Sequence, residues 1–391
     1  MTIIPDPDIQ LSDNKGRISR FWWDYLSGLS GSSSATSSSF DSSLLSNRNY
    51  LYNSGFIIIQ RGGGPWTAGA ATFTADRWCL SRGGTAGATL TRTASVNSSR
   101  YKMRVQRDSG TSATAVISFY QALDSLRSKE FVGQTATLSF YAASGADFSP
   151  TSASMVSTIY TGTGTDETAS SATVGTWTGI ASSSFTASLT STRSLFSQSF
   201  LLSTSTSQIA VSFKMTPVGT AGTADYFEID SPKLEVGSAA TAYSNLPDVQ
   251  AFSDCAMFYE DMGRDPFTGA LGLRVVGPGS ANTAGGASGT PQYFWSAIQC
   301  KSKRNINHTL TVGGSTSWHV TTAGGSSIYN LLSGTVTSSD FWSHQSVESG
   351  LLQFHYQIDG THPALANYHA VLVAVDGAAD SKFAIDCELS P

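Results

Sequence analysis

Asp166 and Glu167 form an adjacent pair of acids in a long loop of the first half of the chain. Paired carboxylates can cleave glycosidic bonds, one as acid and the other as base or nucleophile. The surrounding residues 161 to 168 are almost all Gly and Thr, which favours a solvated turn. No repeat of 20 to 50 residues, typical of solenoids, accompanies the pair. We therefore predict no catalytic residues.

Histidines and cysteines are the next residues that could do chemistry. All six His lie in the second half of the chain, and none has the His-x-x-x-His spacing of a metal site. The four Cys, at 79, 255, 300 and 387, form no Cys-x-x-Cys pair and are interpreted as buried thiols. The favoured role for the His residues is packing or hydrogen bonding to a ligand.

Aromatic residues next to hydrogen-bonding residues are the best candidates for binding. A sugar has an apolar ring face and a fringe of hydroxyls, so it needs a Trp or Tyr to stack on and polar groups to bond. Trp66 and Trp177 are candidates in the first half, although most Trp in β-sandwiches belong to the core. The predicted ligand-binding residues are Trp295, Trp318, His319, Trp342 and His344.

Composition excludes several classes of function. Of the 391 residues only 13% are charged, and the net charge of -5 gives no basic surface for a phosphate backbone, so we expect no nucleic-acid partner. The part after Pro247 is the more acidic one. No stretch of 18 to 20 residues is uniformly apolar and no secretion signal opens the chain, so we expect no membrane insertion.

The periodicity predicts an all-β protein. Residues 56 to 59 are a continuous apolar run closed by Gly and Pro, which is typical of a short buried strand. The only helical pattern of any length in the first domain covers 124 to 131, and a short helix is predicted over 254 to 260. The strands predicted in the first domain are 55 to 60, 75 to 81, 100 to 107, 114 to 120, 134 to 142, 154 to 161, 207 to 215 and 225 to 235. Those predicted after residue 264 are 293 to 301, 309 to 312, 317 to 321, 353 to 358, 370 to 375 and 382 to 389.

The first 49 residues form a separate extension. A short helix is predicted after Ser19, with several aromatic residues on one face, and residues 31 to 39 are a Ser-rich linker. The helix packs on the first domain in one interpretation and docks into a partner in the other, which we favour because the linker uncouples it. The predicted anchoring residues are Ile18, Phe21, Trp22, Trp23, Tyr25 and Leu26.

Several short motifs carry a resemblance to a known family. Asn53 to Gly62 ends in Phe56-Ile57-Ile58-Ile59-Gln60-Arg61-Gly62 and is followed by Asp76-Arg77-Trp78. The strand Gly133 to Phe140, the exit Leu234-Glu235-Val236-Gly237 and the ending Asp386-Cys387-Glu388-Leu389 come in the same order. Together these resemble tail-fibre and other virion proteins of tailed bacteriophages, with lectin-like, carbohydrate-binding-module-like jelly-roll domains.

The resemblance implies a virion protein on the tail or another external appendage. It implies other virion proteins as partners of the N-terminal extension, host-surface polysaccharide as ligand, and a homotrimer. It also implies a structural calcium ion between Asp230 and a carboxylate early in the domain, where this chain has Ile57. No other cofactor is expected.

The prediction is therefore an N-terminal extension with a short helix, followed by two successive antiparallel β-sandwich domains. The extension covers 1 to 49, the first sandwich 50 to 245, a helical connector 246 to 263 and the C-terminal, receptor-binding sandwich 264 to 391. The favoured function is a non-enzymatic tail fibre that binds host glycan. The alternatives are a purely structural head-fibre, decoration or collar protein, and a fibre that degrades polysaccharide.

Overall fold

Two antiparallel six-stranded sheets packed face to face form the first part of the protein. The computed structural model describes residues 48 to 261 except 86, 97 and 98, residues 266 and 267, and the backbone of nine strands from Arg274 to Asp386. The first sheet has the order β1 (Trp66–Thr67), β4 (Ala88–Ala94), β5 (Tyr101–Arg107), β12 (Tyr226–Val236), β7 (Thr135–Ser144) and β10 (Ser194–Leu201). The second has the order β2 (Thr72–Phe73), β3 (Cys79–Arg82), β6 (Ile117–Ala122), β11 (Gln208–Met215), β8 (Ser154–Gly162) and β9 (Ala181–Ser188). The all-β class is confirmed.

A cluster of aromatic rings fills the space between the two sheets. Trp78 stacks on Phe119 with ring centroids 4.7 Å apart, and Phe140 meets Phe213 edge-on at 4.8 Å. All four side chains are fully buried. Such pairs add to the hydrophobic free energy of burial, so this cluster is a main source of the domain's stability. Trp78 is therefore a core residue.

The predicted strand over 55 to 60 is wrong, although the residues are buried as expected. Phe56 has a φ of 54° and no ladder forms. Instead the side-chain oxygen of Asn53 accepts hydrogen bonds from the backbone N–H groups of Ile57 and Ile58, at 2.9 and 3.0 Å. One amide side chain thus replaces a neighbouring strand, which apolar periodicity does not reveal.

Gln60 joins this segment to a later part of the chain through its side chain. Its amide nitrogen donates to Tyr259 O at 2.8 Å, and its amide oxygen accepts from Asp261 N at 3.0 Å. The same amide nitrogen also donates to Asp76 at 2.6 Å. Tyr259–Asp261 is strand β13, so the Gln60 amide pairs with β13 as a strand backbone would.

Three short α-helices lie in the described part of the chain. Helix α1 (Ser125–Ser128) begins after Asp124, whose carboxylate accepts from Arg127 N at 3.0 Å, and runs into a 3₁₀ turn, Lys129–Phe131. Helix α2 is Ala169–Val174. Helix α3 is Asp248–Ala256, earlier than the predicted window of 254 to 260, whose end is β13. Its Ala251 and Cys255 pack against Ile57 and Ile58, so α3 covers the segment whose backbone N–H groups bond to the Asn53 side chain.

Two further sheets contain the C-terminal strands. A seven-stranded sheet has the order β18 (Ile328–Asn330), β17 (Trp318–Thr322), β21 (Ala370–Val375), β14 (Arg274–Asn282), β15 (Gln292–Gln299), β20 (Leu351–Ile358) and β19 (Phe341–His344). A three-stranded sheet has the order β13, β22 (Lys382–Asp386) and β16 (Thr309–Gly313). All neighbours in both are antiparallel. The six strands predicted after residue 264 all overlap observed ones.

The sequence did not reveal the edge strands β9 and β10, and it did not reveal β4 or the two-residue strands β1 and β2. β9 and β10 are both eight residues long and rich in Ser, with one Phe in β9 and two in β10. Each pairs with one neighbour, β9 with β8 and β10 with β7. Their low hydrophobicity is typical of a loop, and only the pairing with buried neighbours makes them strands.

Some predictions fall on residues outside the described part of the chain. These include the anchoring helix with Ile18, Phe21, Trp22, Trp23, Tyr25 and Leu26, as well as Cys300 and Cys387. Cys79 and Cys255 are buried free thiols, as predicted. A search of the described residues finds no helix with the length and apolar character needed to span a membrane.

Candidate functional site

The two faces of the seven-stranded sheet differ in composition. Residues paired directly across antiparallel strands share a face, and alternate residues along a strand share a face. One face, called here the apolar face, consists mainly of large hydrophobic residues: Phe294, Ile298, Trp318, Val320, Tyr329, Phe341, Leu352, Phe354, Tyr356, Ile358, Val371, Val373 and Val375.

The other face, called here the mixed face, joins aromatic and hydrogen-bonding residues. It includes a few aliphatic residues, among them Leu351 and Leu372. Its aromatic and polar members are Ser280, Asn282, Tyr293, Trp295, Gln299, His319, Thr321, Asn330, Trp342, His344, Gln353, His355 and Gln357. The alternation predicts that the apolar face packs on a core and the mixed face meets solvent or ligand.

Two tryptophans and a histidine occupy one row of the mixed face. Trp295 pairs with His355 on the neighbouring strand, and His355 pairs with Trp342 on the next. Since neighbouring strands lie about 4.8 Å apart, the two Trp backbones are about 10 Å apart across His355. The row therefore brings together two residues of a type that can stack on a sugar ring and one of a type that can bond its hydroxyls.

The register separates the other predicted ligand-binding residues. His344 lies on the mixed face, two residues along β19 from Trp342. His319 is on the same face but three strands away from Trp295, and its neighbour Trp318 belongs to the apolar face. His355 was not among the predicted binding residues, because its role depends on the pairing of strands that are about 60 residues apart.

The first sandwich offers no exposed tryptophan among its described residues. Trp78 is fully buried, Trp66 is 8% exposed and Trp177 is 3% exposed. Trp177 packs with helix α2 over Tyr120 and Ala210, on the outer side of the second sheet. The chain itself therefore covers that side around Tyr120. The candidate sugar-binding residues are those of the C-terminal sheet.

Asp166 and Glu167 both hold the local backbone. Asp166 accepts from the N–H and hydroxyl of Ser125, at 2.8 and 2.9 Å. Glu167 accepts from the N–H and hydroxyl of Thr178, at 3.0 and 2.9 Å. Each carboxylate therefore holds its loop to a neighbouring segment, Asp166 at Ser125 and Glu167 at Thr178.

Asp230 was the predicted calcium ligand, and its surroundings do not fit that ion. Its carboxylate accepts from the hydroxyls of Ser95 at 2.6 Å, Ser231 at 2.8 Å and Ser99. Arg193 Nε lies 2.9 Å from Asp230 Oδ2. A cationic guanidinium stands where a cation would bind, and no group of three metal-binding residues occurs in the described part of the chain. We therefore propose no metal at Asp230.

Tyr243 near Asp230 gives a pH prediction. Burial, with a smaller contribution from the negative charge of Asp230, raises the pKa of Tyr243 to about 12, from an ordinary value of 10.0. Below pH 10 Tyr243 is protonated in both states, so it does not make the free energy of unfolding depend on pH. Above pH 10 the tyrosine ionises in the unfolded state first, which stabilises the unfolded state. The free energy of unfolding should therefore fall between pH 10 and 12, by up to about 1.4 kcal/mol per pH unit for this group. Urea unfolding of Tyr243→Phe should show a shallower fall in that range than the wild type; an identical slope would contradict the assignment.

Comparisons with known proteins find only distant structural likeness. No protein-family model matches the chain, and no curated protein matches it. Among solved structures, a CBM4 module is 15% identical, with a TM-score of 0.30, and covers 48% of this chain and 100% of the module. TmCBM61 in complex with β-1,4-galactotriose is 12% identical, with a TM-score of 0.28, over 49% of this chain and 99% of that one.

The enzymatically active domain of bacteriophage CBA120 tailspike protein 4 is also similar in structure. It is 12% identical, with a TM-score of 0.29, and the match covers 41% of this chain and 19% of that domain. Likenesses at this level say nothing about what this chain binds. The candidate site therefore depends on the residues described above.

Proposed function

We propose that this chain is a receptor-binding virion protein that attaches to a particle by its N-terminal extension and binds host-surface polysaccharide without cleaving it. The observation that supports binding most directly is the Trp295, His355 and Trp342 row on the mixed face. Aromatic rings at a fixed spacing suit successive sugar units of an extended glycan. Asp166 and Glu167 have structural hydrogen bonds, which favours a role without catalysis.

The proposed virion attachment explains why a short predicted helix would carry four aromatic residues, Phe21, Trp22, Trp23 and Tyr25. A homotrimer on an appendage would present three mixed faces at once, and linked weak sites gain in overall affinity. Glycan-array binding by the full chain tests the function. Binding to a defined polysaccharide with no release of reducing ends is the expected result. Reducing-end release would establish a degrading fibre, and no binding to any host glycan would favour a structural role.

Removing the extension tests the attachment separately. Deleting residues 1 to 30 should abolish incorporation into particles, because the apolar helix face would be lost while the sandwich strands remain. The measurement is the amount of protein in purified particles, compared with the full chain. Circular dichroism of the shortened protein should show unchanged β-structure, and normal incorporation would refute the anchor.

A further inference from the structure

A polar cavity lies at one end of the first sandwich. Its volume is about 360 Å³, within the usual range of small-ligand sites. Its wall is formed by the start of the described chain at Arg48, helix α1 at Arg127, strand β12 at Lys233 and helix α3 at Gln250 and Asp254. Segments distant in sequence therefore converge on one space.

The charge of the cavity is opposite to that of the chain. Three of its lining residues are cations, Arg48, Arg127 and Lys233, and one is an acid, Asp254. The whole chain has a net charge of -5. The rest of the wall consists of three amide residues, Asn49, Asn245 and Gln250, with Ser244 and one aliphatic residue, Leu246. A wall of guanidinium, ammonium and amide groups suits a ligand with a carboxylate and several hydroxyls.

Arg127 is a mostly buried cation in the wall of the cavity. Its side chain is 10% exposed, its Nη1 atom lies 3.2 Å from Asp254 Oδ2, and its guanidinium lies 3.9 Å from the centre of the Tyr52 ring. Its Nε atom has almost no exposed surface, so a ligand in the cavity would not reach that atom. An anion would approach the guanidinium at its Nη atoms, where Asp254 competes with it.

Arg48 is the second cation that a ligand can reach. It is exposed, and its guanidinium lies 4.9 Å from the centre of the Tyr50 ring. Lys233, by contrast, is committed to Glu235 at 3.1 Å and to Ala242 O at 3.1 Å. The anion would therefore interact mainly with the two arginines.

We propose that this cavity binds one carboxylate-bearing sugar unit, such as a hexuronic acid, within an acidic polysaccharide. The proposal rests on the proposed function for the class of ligand, but the site is separate from the mixed face. The cavity would bind a negatively charged group of the glycan, whereas the row of Trp295, His355 and Trp342 would bind the sugar rings. The chain would then prefer acidic to neutral polysaccharides.

Titration of the full chain with D-glucuronate, followed by ligand-observed NMR, tests the cavity directly. D-glucose and inorganic phosphate serve as comparison ligands. Glucuronate should bind at least about tenfold more tightly than either, since only it offers both a carboxylate and a hydroxyl fringe. Equal binding of glucose, or of phosphate, would overturn the assignment to an acidic sugar.

Two variants should act in opposite directions. Arg48→Gln should weaken glucuronate binding about tenfold, because it removes an accessible cation. Asp254→Asn should strengthen it by about threefold or more, because it removes the one competing negative charge in the cavity. Lys129→Gln is the matched control: Lys129 is exposed, lies two residues from Arg127 and does not line the cavity, so binding should not change.

The outcomes separate this proposal from the proposed function. A Trp342→Ala variant should lose glycan-array binding yet bind free glucuronate as the wild type does. Array binding without any glucuronate binding would refute the cavity and leave the glycan function intact. An equal loss in Arg48→Gln and Lys129→Gln would show that only the overall charge matters, and would also refute the cavity.

Discussion

An Asp225→Ala variant should lose about 3–5 kcal/mol of unfolding free energy, the largest effect that we expect from any single polar substitution in this chain. The side chains of Asp225 and Arg107 are both fully buried, with Asp225 Oδ2 2.7 Å from Arg107 Nη1. Removing the carboxylate would leave a buried guanidinium without its counter-charge. A buried, unpaired charge is far more costly than a lost surface contact.

Arg107 also holds the turns around it, which adds to the expected effect. Its Nη2 atom donates to the carbonyls of Thr111, Ala113 and Gly219, at 3.1, 2.9 and 3.1 Å. Asp225 accepts from Ser149 N at 3.0 Å through its other oxygen. The pair therefore holds three segments, residues 111 to 113, Ser149 and Gly219, and all three should loosen together.

The matched control for this prediction is the exposed pair of Arg100 and Asp248. Their atoms are 2.8 Å apart, but the side chains are 51% and 38% exposed. Asp248→Ala should cost less than about 1 kcal/mol, because water screens the pair. Urea unfolding of both variants, followed by near-ultraviolet circular dichroism, measures the difference. Equal costs for the two variants would show that the Asp225 pair contributes no more than a surface pair.

Trp342→Ala should weaken binding to the proposed polysaccharide ligand by about 30-fold or more, corresponding to the ~2 kcal/mol of a central aromatic contact. Trp295→Ala should behave in the same way, because both residues belong to the row that His355 joins. The loss should appear in affinity for immobilised polysaccharide, with the melting temperature little changed, since the mixed face is not predicted to pack on a core.

Trp318→Ala is the matched control for the tryptophan row, since it removes the same side chain from the apolar face. We expect it to lower the melting temperature clearly, because Trp→Ala in a core typically costs about 3–5 kcal/mol. Its folded fraction should bind polysaccharide as the wild type does. A loss of affinity in Trp318→Ala with normal stability, together with normal affinity in Trp342→Ala, would reverse the assignment of the two faces.

Several strands with regular apolar positions could be predicted from the sequence, but β4 was missed although its residues alternate. β7 and β12 contain regular apolar positions and were found within two residues of their ends. β9 and β10 are rich in Ser and become strands only by pairing with β8 and β7. The segment 56 to 59 shows the opposite error: its apolar run indicated a strand, but the Asn53 side chain takes the place of a partner.

The candidate site was predictable in residue type and not in arrangement. The sequence identified Trp295 and Trp342 as stacking residues, but nothing local indicates that His355 pairs with both. Adjacent residues such as Trp318 and His319 look like one site in the sequence, yet strand alternation separates them by face. The polar cavity was missed because Arg48, Arg127 and Asp254 are far apart in sequence.

The pairing of Gln60 with β13 has a mechanical consequence. β13 pairs with β22 at the end of the chain, with Glu260 opposite Ile385. In the proposed function, a pull on the C-terminal strands would load this three-residue ladder. Part of that force would reach the first sandwich through the hydrogen bonds of the Gln60 amide. When single molecules are pulled by their ends, the Gln60→Ala variant should therefore rupture at a lower force than the wild type.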